Sequence, residues 1–242
     1  MNIDETAESL YARVRSCQLC ALAKTRTLAV PGEGPLNSEV MFIGEAPGAN
    51  EDKQGRPFVG ASGQFLSELL AAGGLTRETV YICNILKCRP PSNRDPLPEE
   101  IEACRDYLDE QIDLIDPLVI VTLGRYSMGR FFPNQAISRI HGRARETAGR
   151  FYVPMYHPAA ALHQGSLREV MLEDFRQLPA LLERARHTRP APAPMLVLDV
   201  DEPAPIHAQL NLLDAPRPEI DAVVTTPLPA PTPDAAQIRL FE

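Results

Sequence analysis

Four of the five cysteines in this 242-residue chain stand where a metal could draw them together: Cys17 and Cys20 in a Cys-x-x-Cys pair, then Cys88 and Cys104 far downstream. Four thiolates suit a zinc ion or an iron–sulfur cluster equally well by spacing. Redox catalysis of the thioredoxin kind is disfavoured, because it needs a strand before the pair and Ala7–Arg15 reads as helix. The bland alternative is a set of unconnected free thiols. Cys83 sits inside the apolar run VYICN and reads as a small buried hydrophobe.

Three further clusters carry polar groups that no helix or strand period explains. Residues 44–60, GEAPGANEDKQGRPFVG, read as an irregular glycine-rich loop holding Glu45, Glu51, Asp52 and Phe58. Ser62 and Gly63 then open a helix whose N–H groups would suit an anion. Residues 84–96, NILKCRPPSNRDP, begin with Asn84, which can offer one ligand edge both a donor and an acceptor. Residues 155–162, MYHPAAAL, place His157 before a proline, which holds it extended. Each has an ordinary reading as a surface loop, a turn cap or a satisfied histidine. Their convergence at strand ends favours a site.

The elements that must position them alternate. VMFIG (40–44), VYICN (80–84), LVIVTLG (118–124) and YVPMY (152–156) are short apolar runs. Helical stretches are expected over 61–72, 97–115, 125–132 and 167–186. Strands that are apolar throughout, separated by helices, indicate a parallel sheet covered on both faces. Ligands bind at the carboxyl ends of such strands.

Composition sets the boundaries. Charged residues make up 23% and the net charge is -8, which excludes a generally basic, nucleic-acid-coating protein but leaves room for a local basic rim. Arginine far outnumbers lysine. No apolar run is long enough to span a membrane, and the polar, acidic start MNIDETAESL lacks the pattern of a secretory signal, so a cytoplasmic, nucleoid-associated monomer is expected. Residues 1–186 form the expected domain. Residues 187–242 are rich in proline and acid and are expected to be disordered.

Together GEAPGANEDKQGRPFVG, NILKCRPPSNRDP, YHPAA and the four spaced cysteines closely resemble the family 4 uracil-DNA glycosylases, over roughly residues 10–185. The resemblance implies a three-layer αβα fold with a central four-stranded parallel sheet. It implies hydrolysis of the N-glycosidic bond of deoxyuridine in DNA, the first step of base excision repair. It makes Cys17, Cys20, Cys88 and Cys104 ligands of a [4Fe-4S] cluster, a choice the spacing left open. By the same resemblance, Phe58 stacks on an extruded uracil, with Ala46, Gly48 and Ser62 beside it. Asn84 reads the uracil edge, His157 donates to O2 of the leaving base, and Glu45 positions water or opposes charge on the sugar. The best-known glycosylases of the wider superfamily carry an Asp where this chain has Ala46, which implies more reliance on leaving-group stabilisation.

Contacts to DNA are expected from the basic run 138–145, through Arg139, His141 and Arg143. Residues 157–168 resemble the loop that enters the minor groove in this family, which implies Leu162 as a wedge and Arg168 on a phosphate. The chain ends in Gln237-Ile238-Arg239-Leu240-Phe241-Glu242. Its Gln237, Leu240 and Phe241 resemble the short peptide by which bacterial repair proteins dock on the replicative sliding clamp. Three rival readings stand beside this one, among them an iron–sulfur regulator, which would not need a base-sized pocket. A uracil-DNA crosslinking iron–sulfur protein would carry a His in the segment PPSNRDPLPEEIEA, which has none. A non-catalytic adaptor would not need Glu45, Phe58, Asn84 and His157 together.

Overall fold

The computed structural model describes residues 3–189; Gln237, Leu240, Phe241 and nearly all of the Pro-rich segment lie outside the described residues. Helix α1 (Ile3–Ser16) has acids in its first turn and arginines in its last, matching the helix dipole at both ends. Strand β1 (Val40–Gly44) is buried throughout. A short helix α2 (Ala49–Gln54) lies within the glycine-rich segment and stops at left-handed Gly55. Helix α3 (Ala61–Ala72) ends at Gly73-Gly74, as the sequence predicts. Strand β2 (Tyr81–Asn84) is again fully buried. Helix α4 (Pro98–Ile115) starts at a proline, with the Glu100 carboxylate accepting from the Leu97 N–H at 2.9 Å. Strand β3 (Val119–Leu123), α5 (Arg125–Phe131), the single turn α6 (Ile137–Ile140) and the hairpin of β4 (Arg145–Thr147) and β5 (Arg150–Met155) follow. The described chain closes with α7 (Pro158–His163), α8 (Leu167–Arg176) and α9 (Leu178–Thr188).

The strands lie in the order β2-β1-β3-β5-β4. The four expected strands are present and all parallel: Phe42 sits between Ile82 and Val121, and Val121 pairs with Val153. The fifth, β4, was not foreseen. It runs antiparallel to β5 across a turn whose Ala148 and Gly149 are both left-handed (φ 51° and 74°), the geometry a tight hairpin needs. At the opposite edge, Glu33 and Ile82 exchange backbone hydrogen bonds of 2.9 and 2.8 Å beside β2.

Side chains alternate across this sheet and so build two cores. Phe42, Ile82, Val121 and Val153 face α3, α8 and α9, where Phe175 stacks on Phe42 at 5.8 Å. Met41, Ile43, Tyr81, Cys83 and Ile120 face α1 and α4. The result is the expected three layers. The single helix anticipated over 167–186 is instead two, because Pro179 has no N–H for the Phe175 carbonyl; α9 then continues to Thr188, past the expected domain limit. No helix among the described residues is long and apolar enough to cross a membrane.

Candidate active site

The carboxyl ends of β1, β2 and β5 open into one small cavity of about 210 Å³. That is below the roughly 300–1,000 Å³ typical of drug-sized ligands and suits a single base. Glu45, Ala46, Gly48, Phe58, Ser62, Asn84 and His157 all line it, so the three sequence clusters do meet. A larger depression of about 660 Å³ lies beside α8 and α9, lined by Met155, Leu178 and Asp174 among others. Its polar groups, Asp174, Arg176, Gln177 and Arg184, come from α8, α9 and the residue between them, away from the motifs at the strand ends, so size alone does not locate the site.

Each group is held under constraint. Phe58 sits in the left-handed region (φ 52°), which a bulky residue seldom enters unaided. Two side chains fix it there. Arg77 donates to the Phe58 and Pro57 carbonyls at 3.0 and 2.7 Å, and Glu51 accepts from the Val59 and Gly60 N–H groups, both at 2.8 Å. The anion expected at the start of α3 is thus the chain's own Glu51. Gly63 lets α3 approach closely, since any Cβ there would overlap the Phe58 carbonyl. Gly44 plays the same part at the end of β1, where a Cβ would overlap both Asn84 Oδ1 and the Phe58 ring.

Asn84 is 2% exposed, and its Oδ1 has no hydrogen-bond partner among the described residues. A buried acceptor left unpaired costs about 1–3 kcal/mol. Such a cost persists where a ligand supplies the missing donor.

His157 stacks on Phe58, with ring centroids 5.5 Å apart. It keeps an opening to the cavity but is otherwise walled in by protein. That burial pushes its pKa down to about 4, against a weaker upward pull from Glu51. The ring is therefore neutral near pH 7. Its Nδ1 accepts from the Ala159 N–H at 3.1 Å, so the one remaining proton sits on Nε2. His157 is a fixed neutral donor. Glu45 is half-buried; burial, with nearby Asp95, pushes its carboxyl up, opposed by Arg125.

Sequence reasoning missed several members of this site. In the sequence Glu51 is one acid among three in a loop, although two glycines and an aromatic after it signal backbone N–H groups needing an acceptor. Pro90, Asn93 and Arg94 also reach the cavity from the segment after β2. Arg94 is held at its rim by a bidentate pair with buried Glu100.

The family model of the uracil DNA glycosylase superfamily matches residues 31–178. A type-4 uracil-DNA glycosylase of Archaeoglobus fulgidus is 45% identical over 194 residues, covering 76% of this chain and 97% of that protein. Those of Sulfurisphaera tokodaii and Thermotoga maritima are 46% and 42% identical, covering 73% and 75% of this chain and 85% and 97% of theirs. The chain belongs to the type-4 uracil-DNA glycosylases.

In this glycosylase the residues anticipated on DNA fall into two groups. Arg139 and Arg143 are exposed and have no ion-pair partner among the described residues, and Leu162 stands 51% exposed on α7, five residues after His157. By contrast, His141 is bonded to Asp174 at 2.7 Å and packed on Tyr156, and Arg168 is paired with Glu68 over the Phe65 ring. Those two are already engaged within the protein.

The cysteines gather between α1 and α4. Cys88 and Cys104 are buried, Cys17 and Cys20 half-buried, all within the second core. Arg26 donates to Cys88 Sγ at 3.0 Å and to the Cys17 carbonyl at 2.7 Å, and the Leu19 N–H approaches Cys17 Sγ at 3.5 Å. Burial raises both inner thiols, Cys104 to about 11. Among the described residues no group of three or more His, Cys, Asp or Glu is set closely enough to hold one metal ion. Cys83 is wholly buried in β2, as expected.

Proposed function

We propose that this chain is a monofunctional uracil-DNA glycosylase, which hydrolyses the bond between uracil and deoxyribose and leaves an abasic site. The observation that carries this is the unpaired acceptor of Asn84 facing a neutral histidine donor across a base-sized cavity. A base inside a duplex cannot reach such a cavity, so the target nucleotide is extruded into it. Phe58, already fixed, offers its face to the ring. Asn84 Oδ1 accepts from N3–H of uracil while its amide N–H donates to O4. Cytosine presents an acceptor at N3 and a donor at C4, which meet the wrong partners at both points.

As the glycosidic bond breaks, electrons pass to the base and negative charge grows on O2. His157 Nε2–H donates to that oxygen without giving up its proton. A donor of this kind typically contributes about 3–4 kcal/mol. The sugar becomes oxocarbenium-like, and Glu45 opposes its charge and orients the water that adds to C1′. With Ala46 beside it, and with the cavity's other carboxylate, Glu51, engaged by the Val59 and Gly60 N–H groups, leaving-group stabilisation carries most of the barrier reduction.

The donor set at α1 and α4 suits a [4Fe-4S] cluster better than a single ion. Four thiols lie in or against one apolar core, an arginine and a backbone N–H already point at two of the sulfurs, and a cubane spans ligands more widely than one ion does. Cys17, Cys20, Cys88 and Cys104 would hold it. When bound, the cluster would supply a structural tie between the N-terminal helix and the segment after β2. On the DNA side, Arg139 and Arg143 are offered to phosphates and Leu162 to the minor groove. Gln237, Leu240 and Phe241 would dock the C-terminus on the bacterial sliding clamp in the cytoplasm. A C-terminal peptide that binds the clamp no better than its Leu240→Ala, Phe241→Ala variant would refute the docking.

The test of the main reading is direct. Purified protein is incubated with an oligonucleotide carrying one uracil and then with hot alkali. Cleavage at that position, with release of free uracil, is expected. An intact strand, or a protein–DNA adduct, overturns the reading.

A further inference from the structure

Behind Asn84, on the face of the sheet away from the cavity, lies a polar line that the reaction chemistry does not explain. Lys87 is 1% exposed, with its amine inside the protein. Its Nζ donates to the Asn84 backbone carbonyl at 2.7 Å and to Gln111 Oε1 at 2.5 Å. Gln111, also fully buried, passes the chain onward. Its Nε2 donates to the Pro31 carbonyl at 2.7 Å and to the Tyr81 hydroxyl at 3.0 Å, which in turn bonds Tyr11 of α1 at 2.9 Å.

Lysine is almost never fully buried without a reason, and this one has an apolar alternative. A methionine of similar length would fill the space without taking an amine out of water. What a methionine would lose is the bond to Gln111 and the grip on the carbonyl of the residue whose side chain faces the cavity. That side chain has no other fastening: its Oδ1 is unpartnered. The aim of Asn84 is therefore set through its own peptide, by the pairing with Gly44 of β1 and by Lys87 behind it.

We propose that Lys87 is a positioning residue for uracil recognition, clamping the Asn84 peptide so that the amide meets the base edge in register. The proposal rests on the reading of Asn84 as the base-reading residue. It needs two N–H donors at Nζ, which the amine has in either protonation state. It also ties the pocket to α4 through Gln111 and to α1 through Tyr81 and Tyr11, so the elements carrying Cys104 and preceding Cys17 share a buried path to Asn84.

The experiment is a double-mutant cycle on the full chain, with uracil and cytosine oligonucleotides as substrates and circular dichroism melts alongside. Lys87→Met should lower kcat about ten- to a hundredfold, the range for a displaced positioning group, with KM little changed. In the Asn84→Ala background the same substitution should cost nothing further, because there is no amide left to aim. Lys87→Arg, which restores donors, should recover part of the loss. A general structural role would instead add its full loss in both backgrounds. If Lys87→Met does not fold, Gln111→Asn, which shortens the acceptor away from Nζ, should give a smaller loss that also vanishes in Asn84→Ala. Additive losses, or an unaffected folded Lys87→Met beside a crippled Asn84→Ala, would overturn the clamp alone. An unaffected Asn84→Ala would bring down both the base-reading role and the clamp.

Discussion

The two faces of β2 treat polar groups in opposite ways. On the cavity side, Asn84 leaves an acceptor unpaired, Phe58 holds a left-handed backbone, and His157 is kept neutral well below its ordinary pKa. On the opposite side, Tyr81, Gln111 and Lys87 are just as buried and Tyr11 is half-buried, yet each is hydrogen-bonded. Both faces carry buried polarity, so burial does not distinguish a site from a scaffold. An unpaired atom that also faces the cavity does. Thr122 Oγ1 and Arg130 Nε are unpaired too, but only Asn84 Oδ1 lines a space where a uracil would satisfy it, and its cost is borne by the packed layers around it.

The sharpest way to break this contrast is at Asn84. Asn84→Ala should lower kcat/KM about a hundred- to a thousandfold, comparable to removing one preorganised donor, while the melting temperature stays level or rises because an orphaned acceptor is gone. A matching fall in both would show that Asn84 belongs with the satisfied face after all.

His157 sharpens the contrast through pH. Its folded pKa of about 4 lies below its ordinary 6.5. Between those values the unfolded chain binds a proton that the folded chain refuses. Its contribution is fully present above about pH 6.5, is lost as pH falls, and levels off below about pH 4, a span of about 3 kcal/mol. Urea melts from pH 7 to 4 should show this decline, and His157→Leu should flatten it. Activity controlled by His157 should likewise persist through pH 5.5 rather than halving near 6.5.

The cysteine pocket separates two kinds of buried thiol. Replacing Cys17, Cys20, Cys88 or Cys104 with Ala should abolish the broad iron–sulfur absorbance of anaerobically purified protein, and Cys83→Ala should leave it intact. A colourless, zinc-loaded and fully active preparation would count against the cluster. The smallest effects belong to the surface. Arg143→Ala and Arg139→Ala should each weaken binding to any duplex a few-fold and reduce the slope of log K against log salt by about 1. Arg168→Ala, by contrast, should act on stability, since that guanidinium is already engaged with Glu68.

The strands and the pocket were legible for one reason: an interior parallel strand is apolar from end to end, and polar residues stand out where it stops. Gly44, Asn84 and His157 announce themselves in that way. What stayed hidden depends on partners distant in sequence. Lys87 reads as a surface charge until Gln111, 24 positions on, is folded against it. The helical turn of α2 is too short to show a period among its glycines, and Glu51 gains its meaning only when the chain doubles back to bring Val59 and Gly60 over it. The strand β4 could not be seen because its three residues, Arg145, Glu146 and Thr147, are all exposed and have no apolar pattern.

That inconspicuous strand has a consequence for how the molecule behaves in a crowded solution. A parallel sheet with a bare rim invites another chain to extend it, the first step of edge-wise aggregation. Here one rim is a three-residue strand carrying Arg145 and Glu146, too short and too charged to template a partner. The other rim, β2, already has its Ile82 N–H and carbonyl occupied by Glu33. A stray strand would have to displace two formed hydrogen bonds on one side or face alternating charges on the other.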